Sequence, residues 1–365
     1  MTRESLINDD WDWLIGRLGG CESVESKSRE TGAFCRRREI KSGVELLRFT
    51  LAYALGGGFR STAAWGASVG LADISDVALL KRVRKTGAFL TALIEQLMSA
   101  TGPSPAQGRL IRLVDATSLP KFGARDKRNN GLWRIHSVFE LPSERFGAIE
   151  LTDQSESEQL DRADVVPGEI RIGDRVYAQA DRIATVLEAG GDILVRAGWK
   201  GVGWRTEDGA PFDLIATLRA AKKGGQATID RPVWIGRKSG APIKMRMVCL
   251  RKSPKAAAEA RRQARRAAQR GKNRVARATL SAADWMILIT SLDPADFPTQ
   301  DILALYRLRW RIELAFKRLK SLIKLTGPPA VDERVAKPYI LAHLLMAILI
   351  EPLIDQFDDS PRWAA

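Results

Sequence analysis

Histidine and cysteine are scarce in this 365-residue sequence, which holds two histidines, His136 and His343, and three cysteines, Cys21, Cys35 and Cys249. No two cysteines form a C-x-x-C pair, so zinc knuckles, zinc fingers and deaminase centres are excluded, and two histidines leave little scope for imidazole catalysis. An odd, sparse cysteine count points to a reducing compartment. Long apolar runs are missing too. The longest, Tyr339 to Ile350, contains His343 and meets Glu351-Pro352 short of the roughly 20 residues of a membrane span, which predicts a buried helix. The polar, acidic start from Met1 to Gly20 has no apolar segment of the secretory kind. Acidic residues are in deficit: 43 Asp and Glu face 58 Lys and Arg, a net charge of +15. With 45% hydrophobic residues the chain is not a disordered basic tail, and its length predicts about two or three domains. These absences leave a folded, cytoplasmic protein, with no membrane partner, that attracts polyanions.

What is present changes character along the chain. Residues 1–104 have helical spacing, with an apolar segment from Leu46 to Leu55 broken by Gly56-Gly57-Gly58 and another from Ala78 to Met98. Ser75-Asp76 offers a cap for the basic stretch Val77 to Lys85, which reads either as a helix laid on DNA or as the solvated face of a bundle. Gly102-Pro103 and Ser104-Pro105 mark a boundary. Strand signals follow at Arg109 to Val114, Trp133 to Leu141, Phe146 to Thr152 and Ile170 to Tyr177, then an amphipathic stretch from Ile183 to Ala189 and the strand Ile193 to Val195. This βββαβ order predicts a mixed α/β sheet flanked by helices, its last unit a parallel crossover.

From Gly198 to about Ala283 short alternating runs predict a β-rich insertion. It contains the strongest charge run: Arg251 to Arg277 holds eleven Lys and Arg against one acid, Glu259. Arg261, Arg262, Arg265 and Arg266 repeat at i, i+4, so like charges crowd one helix unless a polyanion lies near. The remaining signals are a strand from Trp285 to Leu292 and a long helix from Thr299 to Lys324.

That helix is the most informative segment. At about 100° per residue, Tyr306, Arg309, Glu313 and Lys320 fall within about 60° of one another, while Leu308, Ile312, Ala315, Leu319, Leu322 and Ile323 form a separate apolar face. Taken alone, Glu313 is an ordinary ion-pair partner for Arg309 or Lys317. Two strand carboxylates change its weight: Asp115 after Leu113-Val114, and Asp174 after Ile172-Gly173. Two strands and a helix carrying one carboxylate each can hold two divalent cations about 3.5–4 Å apart for phosphoryl transfer.

Tyr306-x2-Arg309-x3-Glu313-x6-Lys320 matches the Y-R-E-K signature, and on these residues the chain resembles bacterial insertion-sequence transposases of the DDE type. Asp115-Ala116-Thr117-Ser118-Leu119 is similar to the family's first-aspartate motif, Gly173-Asp174-Arg175-Val176-Tyr177 to its D-R-x-Y motif, and the likeness continues from Leu187 to Arg196. Asp181 competes with Asp174 for the second position, and Asp161, Asp164 and Asp192 compete more weakly; the Arg-x-Tyr context selects Asp174.

The resemblance implies a ribonuclease-H-like core over residues 105–197 plus 284–328, a helical N-terminal DNA-binding domain at 1–104, an insertion at 198–283 and a helical tail at 329–365. The 139-residue separation of Asp174 from Glu313, against 59 between the two aspartates, independently calls for that insertion. It implies Asp115, Asp174 and Glu313 as catalytic metal ligands for two Mg²⁺ ions, with Mn²⁺ able to replace them. Tyr306, Arg309, Lys320, Arg175, Arg261 and Arg265 are the candidate DNA contacts. Trp285 has two readings, a core tryptophan at a strand start or a ring that stacks on a base flipped out near a hairpin. The implied reaction is cut-and-paste transposition through a hairpin, on double-stranded DNA ending in inverted repeats and then on target DNA, by a nucleoid-associated dimer in a synaptic complex. Only 41 residues follow Lys324, few for the separate C-terminal dimerisation domain of some relatives. A non-catalytic DNA-binding regulator and a simple metal-dependent nuclease on the same core are the competing readings.

Overall fold

The computed structural model of the chain describes residues 11–56, 58–98, 109–121, 131–141, 145–313, 316, 330 and 332–357. The expected boundary at 102–105, Lys320, and the apolar positions Ala315, Leu319, Leu322 and Ile323 lie outside the described residues.

Nine strands form one sheet in the order β3-β2-β1-β4-β5-β9-β8-β7-β6. The first half consists of β1 (Ile111–Pro120), β2 (Leu132–Leu141), β3 (Arg145–Asp153), β4 (Ile170–Gly173) and β5 (Asp192–Arg196). β1 is antiparallel to β2 and β2 to β3, whereas β1, β4 and β5 run parallel. The parallel step from β4 to β5 uses the amphipathic helix α7 (Ala180–Glu188) as its crossover, as the strand-helix-strand reading predicts. The expected strand from Ile170 to Tyr177 is shorter: β4 stops at Gly173, because the Asp174 carboxylate accepts the Val176 N–H (2.9 Å) and turns the chain into a 3₁₀ segment over Arg175–Tyr177. Glycine at 173 leaves room for Tyr177, since a Cβ there would lie 3.0–3.1 Å from that side chain's Cβ, Cγ and Cδ2.

The second half, β6 (Gly203–Arg205), β7 (Thr228–Gly236), β8 (Ile243–Arg251) and β9 (Trp285–Thr290), extends the same sheet by antiparallel pairing of β9 with β5. The insertion expected from composition is thus built into the central sheet. Its helices are α8 (Leu214–Lys223), the basic α9 (Pro254–Arg270) and α10 (Arg277–Ala283). Asp213 caps α8, and Ser253 caps α9 with Pro254 in the first turn.

Alternate residues of the strands feed two separate cores. Ile111, Leu113 and Leu119 of β1 join one that also contains the N-terminal helices and the C-terminal helix, whereas Val114 joins another under α7 and α8. The N-terminal elements are a helix at 11–17 (α1), α2 (Gly20–Glu30), α3 (Gly43–Gly56), α4 (Phe59–Ser68), α5 (Asp76–Val83) and α6 (Gly87–Met98). Ser75 caps α5 as its sequence predicts, its hydroxyl accepting the Ala78 N–H at 3.2 Å. The apolar run at 339–350 lies within α13 (Glu333–Phe357), which continues through Pro352 instead of ending there and packs on α3 and α6. An Arg84–Asp332 ion pair (2.8 Å) ties the end of α5 to the approach to α13. No helix among the described residues is long and apolar enough to cross a membrane.

The long helix expected over Thr299–Lys324 is interrupted. α11 (Thr299–Arg307) ends at a turn over Leu308-Arg309, and helix resumes at 310–313 (α12). N–H groups of Leu308, Arg309 and Arg311 bond three residues back, to Leu305, Tyr306 and Leu308. Such tightened turns advance about 120° per residue instead of 100°. Tyr306, Ile312 and Phe316 all turn inward as a result. Tyr306 is buried and so does not lie on an open working face with Glu313.

A buried ionic network fastens the segment before β4 to the sheet. Arg171 and Glu169, both fully buried, pair with each other, and Arg112 pairs with Glu140 (2.8 Å) and Glu169 (2.9 Å). Arg171 also donates to the carbonyls of Leu160 (2.6 Å) and Asp164 (2.5 Å). Deleting one partner of such a set strands a charge in the interior. Arg171→Met is expected to lower unfolding stability by about 3 kcal/mol in urea titration. Adding Glu169→Gln, which removes the stranded charge, should recover part of that loss.

Candidate active site

Parallel register places two carboxylates side by side. Val114 of β1 lies opposite Gly173 of β4, so the next residues, Asp115 in the middle of β1 and Asp174 just past the end of β4, are neighbours about 4.8 Å apart in backbone spacing. Asp115 alternates with Leu113 and therefore belongs to the sheet face that also receives Ile312 and Phe316. One Asp115 oxygen accepts the Ala116 N–H at 2.8 Å.

Burial dominates the electrostatics of Asp115, whose carboxyl is pushed up from 3.8 to about 6; Asp174 and Glu158 add to the rise, while the Ala116 bond and the Arg309 guanidinium oppose it. Glu158 is itself raised, by burial first and by Asp174 next, against the pull of Arg134, whose Nε lies 3.5 Å from the Glu158 carboxylate. Tyr177 is buried beside all three acids, and its hydroxyl has no hydrogen-bond partner among the described residues. Burial and these negative neighbours raise its pKa strongly.

Glu313 does not join the pair in this conformation. Its half-exposed carboxylate accepts from Arg309 Nη2 at 2.5 Å, the i, i+4 pairing that its spacing allows. Arg309 faces both ways, bonding Glu313 and acting electrostatically on Asp115. Among the described residues no group of three or more His, Cys, Asp or Glu is close enough to hold a metal ion. The donors nevertheless suit a hard divalent cation: two adjacent carboxylates, one with its charge disfavoured by burial and like-charged neighbours, form an all-oxygen, electron-rich site.

The other predicted residues are spread around this centre. Arg175 is exposed next to Asp174, and Arg265 is exposed on α9. Arg261 is bound to Asp284. Trp285 is 2% exposed inside the core under α8 and α10, so in this structure it offers no ring face to a base. Lys320 lies outside the described residues. Three of the four competing acids are engaged elsewhere: Asp181 with Arg237 (3.6 Å), Asp161 with Arg182 (3.1 Å) and Asp192 with Arg109 at the opposite end of β5. Both histidines are buried; burial, then Arg162 and Arg134, hold His136 down at about 4, so it is neutral at pH 7.

Glu158 and Arg134 were not legible as site residues. Glu158 sits in the polar stretch Ser155-Glu156-Ser157-Glu158, which carries no periodic signal, and reaches the site because Arg134 holds its side chain and Gln179 holds its carbonyl (2.9 Å). Tyr177 had a signal, the D-R-x-Y spacing, without a stated role.

Residues 106–326 match the Transposase DDE domain family, a class of enzymes that cleave and transfer DNA strands. The chain is 36% identical over 365 residues, 98% of its own length and 97% of the relative's, to the putative transposase InsL for insertion sequence element IS186A of Escherichia coli strain K12. It is 35% identical over 366 residues, with the same coverage, to the transposase for insertion sequence element IS421 of Escherichia coli. The chain therefore belongs to the DDE transposases of insertion-sequence elements, a family whose catalytic domains use divalent metal ions.

The raised carboxyl has a consequence for stability. The fold favours protonated Asp115, so its contribution is fully present below 3.8 and is lost as pH rises towards and past about 6. In metal-free buffer Asp115→Asn should match wild type near pH 3.5 and exceed it above pH 6 by up to about 3 kcal/mol, measured by chemical denaturation across pH.

Proposed function

We propose that this transposase cleaves phosphodiester bonds at the ends of its insertion sequence and joins the freed 3′-hydroxyls to target DNA, using Asp115, Asp174 and Glu313 as metal ligands on a ribonuclease-H-like core. The observation that carries this reading is the register that sets Asp115 beside Asp174, with Arg309 and Glu313 on the helix packed over the same face. The order β3-β2-β1-β4-β5 supports the core assignment, with three antiparallel strands beside parallel β4 and β5.

Two Mg²⁺ ions, when bound, would activate a water or 3′-hydroxyl and neutralise the leaving oxygen. Asp115 and Asp174 would hold the ions from adjacent strands, and Glu313, bonded to Arg309 here, would be the third ligand. Arg309, half-buried, bonded to Glu313 and acting electrostatically on Asp115, would take the phosphate on which charge develops. Arg175, exposed beside Asp174, binds a flanking phosphate. Two protomers, one per inverted repeat, would make the synaptic complex. The hairpin step rests on family resemblance alone, and Trp285 as placed does not supply its stacking partner.

Asp115→Asn and Glu313→Gln are each expected to reduce Mg²⁺-dependent cleavage of the element's own terminal DNA by at least about a hundredfold, while duplex binding stays within about threefold of wild type. Cleavage by both purified variants at the wild-type rate would refute the carboxylate assignment.

A further inference from the structure

A second charged feature lies outside the acid pair. Between α8, α9 and the start of β9 is a cleft of about 520 Å³ carrying Arg219, Lys222, Lys223, Arg251 and Arg261 against a single carboxylate, Asp284. Asp284 is 4% exposed and holds two of these cations in place, accepting from Lys222 Nζ at 2.6 Å and from Arg261. Arg219 Nε donates to Ser281 Oγ at 3.1 Å. Lys223 and Arg251 are exposed, and neither has a carboxylate partner among the described residues. Three cations are thus held in position and two are free at the rim, so the positive charge exceeds what the buried acid neutralises. A polyanion meeting this cleft finds side chains whose conformational freedom is already restricted.

The sheet sets where this cleft stands relative to the acids. β5 is parallel to β4, β9 is antiparallel to β5, and β8 is antiparallel to β9. The first residue of β9, Trp285, and its register partner Arg251 at the end of β8 therefore lie on the same sheet edge as Asp115 and Asp174. Between them Lys252 feels Arg196 and Arg175 as well as Asp284, a line of cations from the acid pair to the cleft. From Asp174, just past the end of β4, to Arg251 is three strand spacings across, about 14 Å, and three residues along the strand, about 10 Å, which together make about 18 Å, the rise of about five base pairs of duplex.

We propose that this cleft binds the sugar-phosphate backbone of double-stranded DNA about five base pairs from the phosphodiester at the Asp115–Asp174 centre. The inference rests on the reading of the protein as an enzyme acting on DNA, and adds a second, sequence-independent contact surface in the insertion. Trp285 contributes the apolar floor of that surface.

The test is the salt dependence of binding to a 40-base-pair duplex, followed by fluorescence anisotropy on the full chain. Lys223→Glu/Arg251→Glu alters two exposed side chains outside the catalytic machinery. Lys238→Glu/Lys244→Glu makes the same charge change at exposed positions on the opposite edge, near the turn between β7 and β8. The slope of log K against log salt should fall by about two in the cleft variant, with affinity reduced at least tenfold near 0.1 M salt, and should stay at the wild-type value in the control. An unchanged slope in the cleft variant, or an equal fall in both, overturns the proposal. Failure of the wild-type protein to bind duplex at all would instead remove the reading on which it rests.

Discussion

The parallel pairing of β1 with β4 is the constraint on which the rest of the site depends. A shift of one residue in the Val114–Gly173 register would separate Asp115 from Asp174 and turn one strand's side chains to the other face. Several features hold the register. Gly173 admits the Tyr177 ring, Asp174 caps the 3₁₀ turn that ends β4, and Arg171 reaches back to two carbonyls of the preceding segment. Glu158 is carried on that segment, so the buried ionic network also places a third acid near the pair.

Charge is handled in two contrasting ways. Arg112, Glu140, Glu169 and Arg171 form a balanced set beneath the surface, where each partner offsets the desolvation of another. At the carboxyl ends of the parallel strands the balance is broken twice: the acids crowd around Tyr177, and the cations crowd between Arg175, Arg196 and Lys252. An excess of each sign within a few strand widths suits a substrate that is itself a polyanion and needs cations to react. Building the insertion into the central sheet brings the two excesses to one edge.

The helical layer has a single connected interior. Residues from the N-terminal helices, one sheet face, α11 and α13 share one core. The composition boundary near residue 104 therefore does not mark a break in packing, although it does mark the change from helix to strand. Within this layer the turn at Leu308-Arg309 lets Tyr306 and Ile312 both reach the interior, and leaves the Arg309–Glu313 pair at the layer's surface.

By itself the sequence determined the kinds of elements and the chemistry available. Alternating and apolar runs marked the strands of the mixed sheet, Ser75 and Asp76 the start of α5, and the spacing of Tyr306, Arg309, Glu313 and Lys320 the family. These signals are local, set by side-chain period, capping and motif spacing. It left open which acids meet, because that depends on strand register, and it missed Glu158, whose position depends on Arg134, Gln179 and the segment pinned by Arg171. It did not show the interruption after Arg307, since an ideal wheel assumes uniform turns, nor that the strand start it marked at Trp285 lies beneath two helices. The tertiary structure decided these points, because burial, register and the convergence of charges are relations between residues far apart in the chain.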